Sequence, residues 1–199
     1  MENKIQSTNP KKTSQNGFLE PILTKLRTKK IEDYTKNKIV LDFGCGEKLS
    51  TLRHILPRVK EAHGYDILYS GLPVQKTEDN ISVYGNLSQI ESKIEIITSL
   101  ACFEHLEQDE LKIILKDLSK VCTDKAQIIG TVPRPPAKPV LEFLSYRLKL
   151  IDPKQIKDHK IYYNKSTLEK ILRGTPWTLT KYETFQLNMN SFFVLTKNS

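Results

Sequence analysis

The chain has 199 residues, with 31 basic against 23 acidic side chains, a formal charge of +8 and a pI near 9.3. At 38% hydrophobic and 27% charged residues it is apolar enough to bury one core and too charged for a fibrous or membrane-embedded protein. Its apolar runs fall well short of the ~20 residues that span a bilayer, and its first residues carry nothing like a secretory leader, so a cytoplasmic location is expected.

The charge is segmental. Residues 1–38 hold 9 basic and 4 acidic side chains, residues 39–133 hold 10 and 14, and residues 134–181 hold 11 and 4. Three cysteines, Cys45, Cys102 and Cys122, match neither a disulfide framework nor a metal knuckle and read as reduced thiols.

Residues 1–16 are polar and predict a flexible tail; residues 17–199 then read as a single domain. Leu19, Ile22, Leu23, Leu26 and Ile31 keep helical spacing and predict an amphipathic helix over 18–34. Short apolar runs then alternate with helical segments. Strands are expected at 38–43, 61–65, 81–84, 94–98 and 126–132, and helices at 49–56, stopped by Pro57, and at 107–121. That alternation predicts an α/β fold, a doubly wound, Rossmann-like parallel sheet with helices on both faces.

An insert at about 133–165 interrupts the pattern. It opens on the proline-rich PRPPAKP and continues with a helix over 140–150, apolar on much of its surface, that reads as a lid or packing element. A helix over 166–173, capped near Ser166 or Thr167 and followed by Gly174, leads to two final strands at 177–185 and 192–196, expected as an antiparallel pair. His54 and His63 read as surface or helix-face residues.

The sharpest local feature is Val40-Leu-Asp-Phe-Gly-Cys-Gly-Glu-Lys48. In doubly wound folds ligands sit at the carboxyl ends of strands, where glycines admit close backbone approach. Gly44 and Gly46 are placed for that. A dinucleotide fingerprint needs glycine at position 49, which is leucine, and no Walker loop occurs. Asp42, directly before the glycines, suits a cationic ligand. Asp66 ends the next strand, 20 residues past Gly46, where a carboxylate accepts from ribose hydroxyls. Asn86 ends the third strand and suits an adenine edge. An adenosine-bearing cation satisfies all three, and S-adenosylmethionine is one.

These residues resemble the class I S-adenosylmethionine-dependent methyltransferases, within them the small-molecule group called type 11. The resemblance covers 37–132 by motif and 159–197 more loosely. It implies a seven-stranded sheet with the last strand antiparallel. It implies S-adenosyl-L-methionine as cofactor, with Asp42, Gly44 and Gly46 on its methionine part, Asp66 at the ribose, Asn86 at the adenine, Leu100 and Ala101 near it, and Cys45, Ile67 and Leu87 as further cofactor contacts. The segment Thr98-Ser-Leu-Ala-Cys-Phe-Glu-His-Leu106 is similar to the family's strand-four motif. Lys48 stands where the family loop has its third glycine, Asn86 replaces a carboxylate, and Cys122-Thr-Asp-Lys-Ala126 stands where a Pro/Gly-rich turn is common.

For the acceptor side, His105 and His159 are the candidate bases, and Glu104, Arg134, Tyr162 and Tyr163 the candidate substrate contacts. The basic insert points to an anionic acceptor, a small molecule or a glycan-type precursor, lipid-linked ones included. An RNA methyltransferase is the alternative that charge favours, though no aromatic stacking platform accompanies it. A non-catalytic nucleoside-binding protein that retains the fold is the other, with Lys48 in its favour.

Overall fold

Apolar residues of the strands run in pairs, Val40-Leu41, Ile96-Ile97, Ile128-Ile129 and Phe192-Phe193, which puts a hydrophobic side chain on each face of the sheet and calls for cover on both. A computed structural model describes residues 20–134, 163–186 and 188–198. The tail, the 140–150 helix, His159 and Tyr162 lie outside these residues.

Eight strands form one sheet: β1 (Ile39–Phe43), β2 (Glu61–Tyr65), β3 (Gln75–Lys76), β4 (Ser82–Tyr84), β5 (Ile94–Leu100), β6 (Cys122–Pro133), β7 (Trp177–Phe185) and β8 (Asn190–Lys197). Their order is β3-β4-β2-β1-β5-β6-β8-β7. From β4 to β6 all pairings are parallel, β3 runs antiparallel to β4, and β8 is antiparallel to both β6 and β7. The expected seven strands are all present. The eighth, β3, is a two-residue addition whose Gln-Lys carries no apolar alternation to announce it.

Five helices are described: α1 (Glu20–Lys29), α2 (Glu32–Thr35), α3 (Ser50–Ile55), α4 (Gln108–Lys120) and α5 (Lys165–Leu172). One face of the sheet packs Leu41, Ile97, Ile128, Phe193 and Leu195 with Leu111, Leu115 and Leu118 of α4 and Leu168, Ile171 and Leu172 of α5. The other packs Val40, Ile96, Ile129, Phe192 and Val194 with Leu52 and Ile55 of α3 and with Ile31. The Trp177 indole N–H donates to the Leu115 carbonyl at 2.7 Å, which ties β7 to α4.

Four local expectations are corrected. The helix expected over 18–34 is two helices, because Lys30 and Ile31 bond back to the carbonyls of Arg27 and Thr28. That tighter turn drops Ile31 into the core while Leu26 stays 46% exposed. Cys122-Thr-Asp-Lys-Ala126 is the start of β6 and not a turn; Cys122 pairs with Ile94 and the ladder is irregular before Ile96. Asn164, one position before α5, is its N-cap: its side-chain oxygen accepts from Thr167 N at 2.9 Å. His63 is buried in β2, with Nδ1 3.2 Å from the Tyr84 hydroxyl and Nε2 3.3 Å from Glu61.

Candidate functional site

Parallel strands β4, β2, β1, β5 and β6 all point their carboxyl ends the same way, so the turns that follow them gather on one rim. Asp42 lies one residue from the end of β1 and is 3% exposed. Register puts it beside Thr98 of β5, and the Thr98 hydroxyl donates to its Oδ1 at 2.6 Å. Burial raises the Asp42 carboxyl to about 7; the Thr98 bond opposes the shift and the nearby Asp66 charge adds to it.

The glycine turn takes its shape from two left-handed residues, Gly44 at φ +81° and Gly46 at φ +61°. A Cβ at Gly44 would also stand 2.4 Å from Cys102 Sγ, so this position is closed to any side chain. Lys48 is exposed and does not narrow the turn. The third left-handed residue is Leu49, at φ +52°, whose side chain is buried. Its place is the one at which a dinucleotide fingerprint would carry glycine.

Asp66 bridges the turn to its neighbour. Its Oδ2 accepts from Gly46 N at 2.9 Å and its Oδ1 from Leu68 N at 3.0 Å. Each carboxylate oxygen keeps a second lone pair, so Asp66 shapes the loop and still has acceptors to offer. Asn86 repeats the device one strand on: its Oδ1 accepts from Ser88 N at 3.0 Å, which leaves its amide N–H groups as the donors it presents. Between them, Gly85 lets the chain pass the backbone of Tyr69 so closely that a Cβ would lie 1.9 Å from that carbonyl oxygen. Ile67 is 77% exposed beside this rim, and Leu87 is half-buried.

Beyond β5, Leu100 and Ala101 are half-buried, and Ala101 takes φ +55° with its N–H bonded to the Thr131 carbonyl. The short turn Phe103–His105 follows. Glu104 is 1% exposed, and its carboxyl is raised to about 7 by burial, against a lowering by a backbone hydrogen bond and, less, by Arg27. His105 is half-buried on the same turn.

Below the rim an aromatic column of Tyr65, Phe43, Phe103 and Phe193 links β2, β1, this turn and β8, with centroid separations of 5.1, 6.1 and 5.9 Å. Tyr163, expected at the substrate, is wholly buried, and its hydroxyl donates to the Phe103 carbonyl at 3.1 Å; it holds the turn from behind. Arg134 follows β6 and is half-buried at the rim. Cys45 and Cys102 flank the turn as free thiols, both pushed above their ordinary value chiefly by burial, which keeps them protonated and inert as nucleophiles.

The structure thus brings Asp42, the Gly44–Gly46 turn, Asp66, Asn86, Leu100, Ala101, Glu104 and His105 to one rim. Thr98, the partner that fixes Asp42, is not a residue that the sequence motifs mark as functional. Its signal is its place one strand over, at the register position beside Asp42.

A methyltransferase-domain family model matches residues 15–182, most of the chain. The chain belongs to this methyltransferase family. No curated protein matches the sequence. Among solved structures, the methyltransferase is similar to the magnesium protoporphyrin IX methyltransferase of Synechocystis PCC 6803 with bound SAH. The TM-score is 0.60 at 12% identity, over 93% of this chain and 89% of that one. It is also similar to the Burkholderia thailandensis 1,6-didemethyltoxoflavin-N1-methyltransferase, with TM-score 0.61 and 11% identity over 89% and 79% of the two chains. A third is the plantazolicin methyltransferase BpumL, with TM-score 0.60 and 14% identity over 90% and 86%. At these identities the likeness is one of fold, the class I methyltransferase fold. No helix among the described residues of this methyltransferase is long and apolar enough to cross a membrane, and no described group of three His, Cys, Asp or Glu could hold a metal ion.

Proposed function

We propose that the chain transfers the methyl group of S-adenosyl-L-methionine to a small or glycan-type acceptor that carries negative charge. The observation that carries this is Asp42, a carboxylate buried beside a glycine turn at the carboxyl rim of a parallel sheet. A buried carboxylate raised to about 7 with no basic partner beside it among the described residues is matched by a ligand that brings a cation. The amino group and sulfonium of the cofactor supply one.

The donor set fits this cofactor along its length. The Gly44–Gly46 turn would admit its methionine part, the remaining lone pairs of Asp66 would take the ribose hydroxyls, and the Asn86 amide would take the adenine edge. Bound there, the cofactor supplies an activated methyl carbon. The protein's task is alignment at near-attack distance with water excluded, and the rigid base under His105 and Glu104, pinned through Phe103 by Tyr163, serves that end. Toward a hydroxyl acceptor His105 acts as base, with His159 of the insert as the other candidate; an amine needs less help.

Structural neighbours that carry porphyrin, toxoflavin and plantazolicin in their names favour a small acceptor over RNA. An RNA substrate would show a steep loss of affinity with salt.

Isothermal calorimetry with S-adenosylmethionine and S-adenosylhomocysteine tests the cofactor. Both should bind the full chain, and Asp66→Ala should weaken both by about tenfold or more while the protein stays folded by circular dichroism. Absence of binding by the folded wild-type chain sinks the reading. Labelled methyl transfer into RNA, lipid-linked glycan and small-molecule fractions of a cell extract then chooses the acceptor.

A further inference from the structure

We propose that Arg134 and Gln186 form a receptor for one anionic oxygen group, a carboxylate or phosphate, on the methyl acceptor. The proposal rests on the methyltransferase reading for the identity of the ligand, though not for the existence of the site. Arg134 is gripped by the turn between β7 and β8: its N–H donates to the Met189 carbonyl at 2.8 Å, and its Nη1 donates to the Asn188 carbonyl at 3.1 Å and to the Asn188 side-chain oxygen. The turn itself is set by two left-handed residues, Gln186 at φ +52° and Asn188 at φ +68°. Asn190 Nδ2 donates to Gln186 Oε1, which fixes which way that amide faces.

Two donors of this assembly are left over. Arg134 Nε and Gln186 Nε2 are both shielded from solvent and have no hydrogen-bond partner among the described residues. Buried N–H groups in native proteins are nearly always satisfied, and a guanidinium cannot escape the demand by losing its proton. With Nη1 engaged by Asn188, the edge left to Arg134 is the Nε side of the fork, whose parallel donors match the two oxygens of a carboxylate or phosphate.

The position suits an acceptor and not the cofactor. Thr131 is level with Leu100, and Pro133 with Asn190. Arg134 therefore lies about 10 Å further along the strand direction than the Leu100–Ala101 pair. The Asp66 carboxylate puts negative charge on the inner part of the rim, so an anionic acceptor is better met by a cation placed outside it.

Thermal melts of the full chain in sodium phosphate and in sodium malonate, at ionic strength held constant with sodium chloride and with or without S-adenosylhomocysteine, test the site. One of the two anions should stabilise the wild-type chain with a half-saturation concentration, and which one answers separates phosphate from carboxylate. Arg134→Gln should raise that concentration about tenfold, and Arg134→Lys several-fold because an ammonium lacks the fork. Gln186→Leu, which removes no atom that bonds Arg134, should raise it about threefold; it keeps the test open if the arginine variants melt early. A purely structural arginine would lower every melting point and leave the half-saturation unchanged. That result, or no response of the wild type to either anion beyond chloride, overturns the proposal. Anion response without S-adenosylhomocysteine binding counts against the cofactor reading alone.

Discussion

Asp42 makes the site sensitive to pH in a defined direction. Its ordinary carboxyl value of 3.8 is raised to about 7 in the fold, with burial as the largest cause. Between those values the folded chain keeps a proton that the unfolded chain has released. The group therefore favours folding at the acid end, and that contribution falls away as pH rises through about 7. A bound cation reverses the preference, because it stabilises the ionised form. Cofactor affinity should rise with pH below about 7, by at most about tenfold per unit for this one proton, and level off above it. Calorimetry at pH 6 in two buffers of different ionisation enthalpy should return different heats; equal heats would mean that no proton leaves. Thr98→Val removes the hydroxyl that opposes the shift and should move the bend to higher pH, whereas Asp42→Asn should flatten its share. Leu49 shows how sequence and conformation part company at a single residue. Its side chain, 3% exposed, reads as core, yet its φ of +52° is a glycine's, at a cost of about 1 kcal/mol. Nothing in a leucine signals that.

Among the elements, the connection from β2 to β4 has its tightest point at Gly85. Gly85→Ala would put a Cβ 1.9 Å from the Tyr69 carbonyl oxygen, backbone against backbone, so the strand ends must separate. A loss of about 2–4 kcal/mol is expected, read by urea unfolding, along with weakened cofactor binding because Asp66 N bonds to the Tyr84 carbonyl across the same junction. Tyr163→Phe, which removes only the hydroxyl bonded to Phe103 O, should cost about 1–2 kcal/mol. Elements with their own periodicity were legible: β2, β7 and α4 fall within a residue of their expected bounds. The break after α1 was not, because Leu23 and Ile31, eight residues apart, keep helical spacing across a turn that the burial of Ile31 accompanies. Tyr163 is hard to place from the sequence for a related reason. An aromatic beside a histidine in a basic segment looks like a ligand contact until the fold shows what covers it.

For the whole molecule, the proposed cofactor half of the rim was legible because Asp42, Gly44, Gly46, Asp66 and Asn86 each stand at or near the end of a strand that the sequence announces. The proposed acceptor half was legible only as excess charge. Arg134 owes its orientation to Asn188, 54 residues away, and no local pattern links the two. The outermost strand has a consequence of a different kind. β7 pairs only with β8 among the described residues, and its nine residues leave a row of backbone donors and acceptors on the far side. Such an edge is a template for another chain. Here it is broken by the irregularity between Leu179 and Lys181 and studded with Lys181 and Glu183. These features act as gatekeepers: they spoil the register that a second copy would need and place charge where it would stack. The double substitution Lys181→Val, Glu183→Val should add assemblies that grow with concentration in light scattering beyond any seen for the unmodified chain. Two charged side chains and one slipped register thus guard the flank of the sheet that faces away from β8.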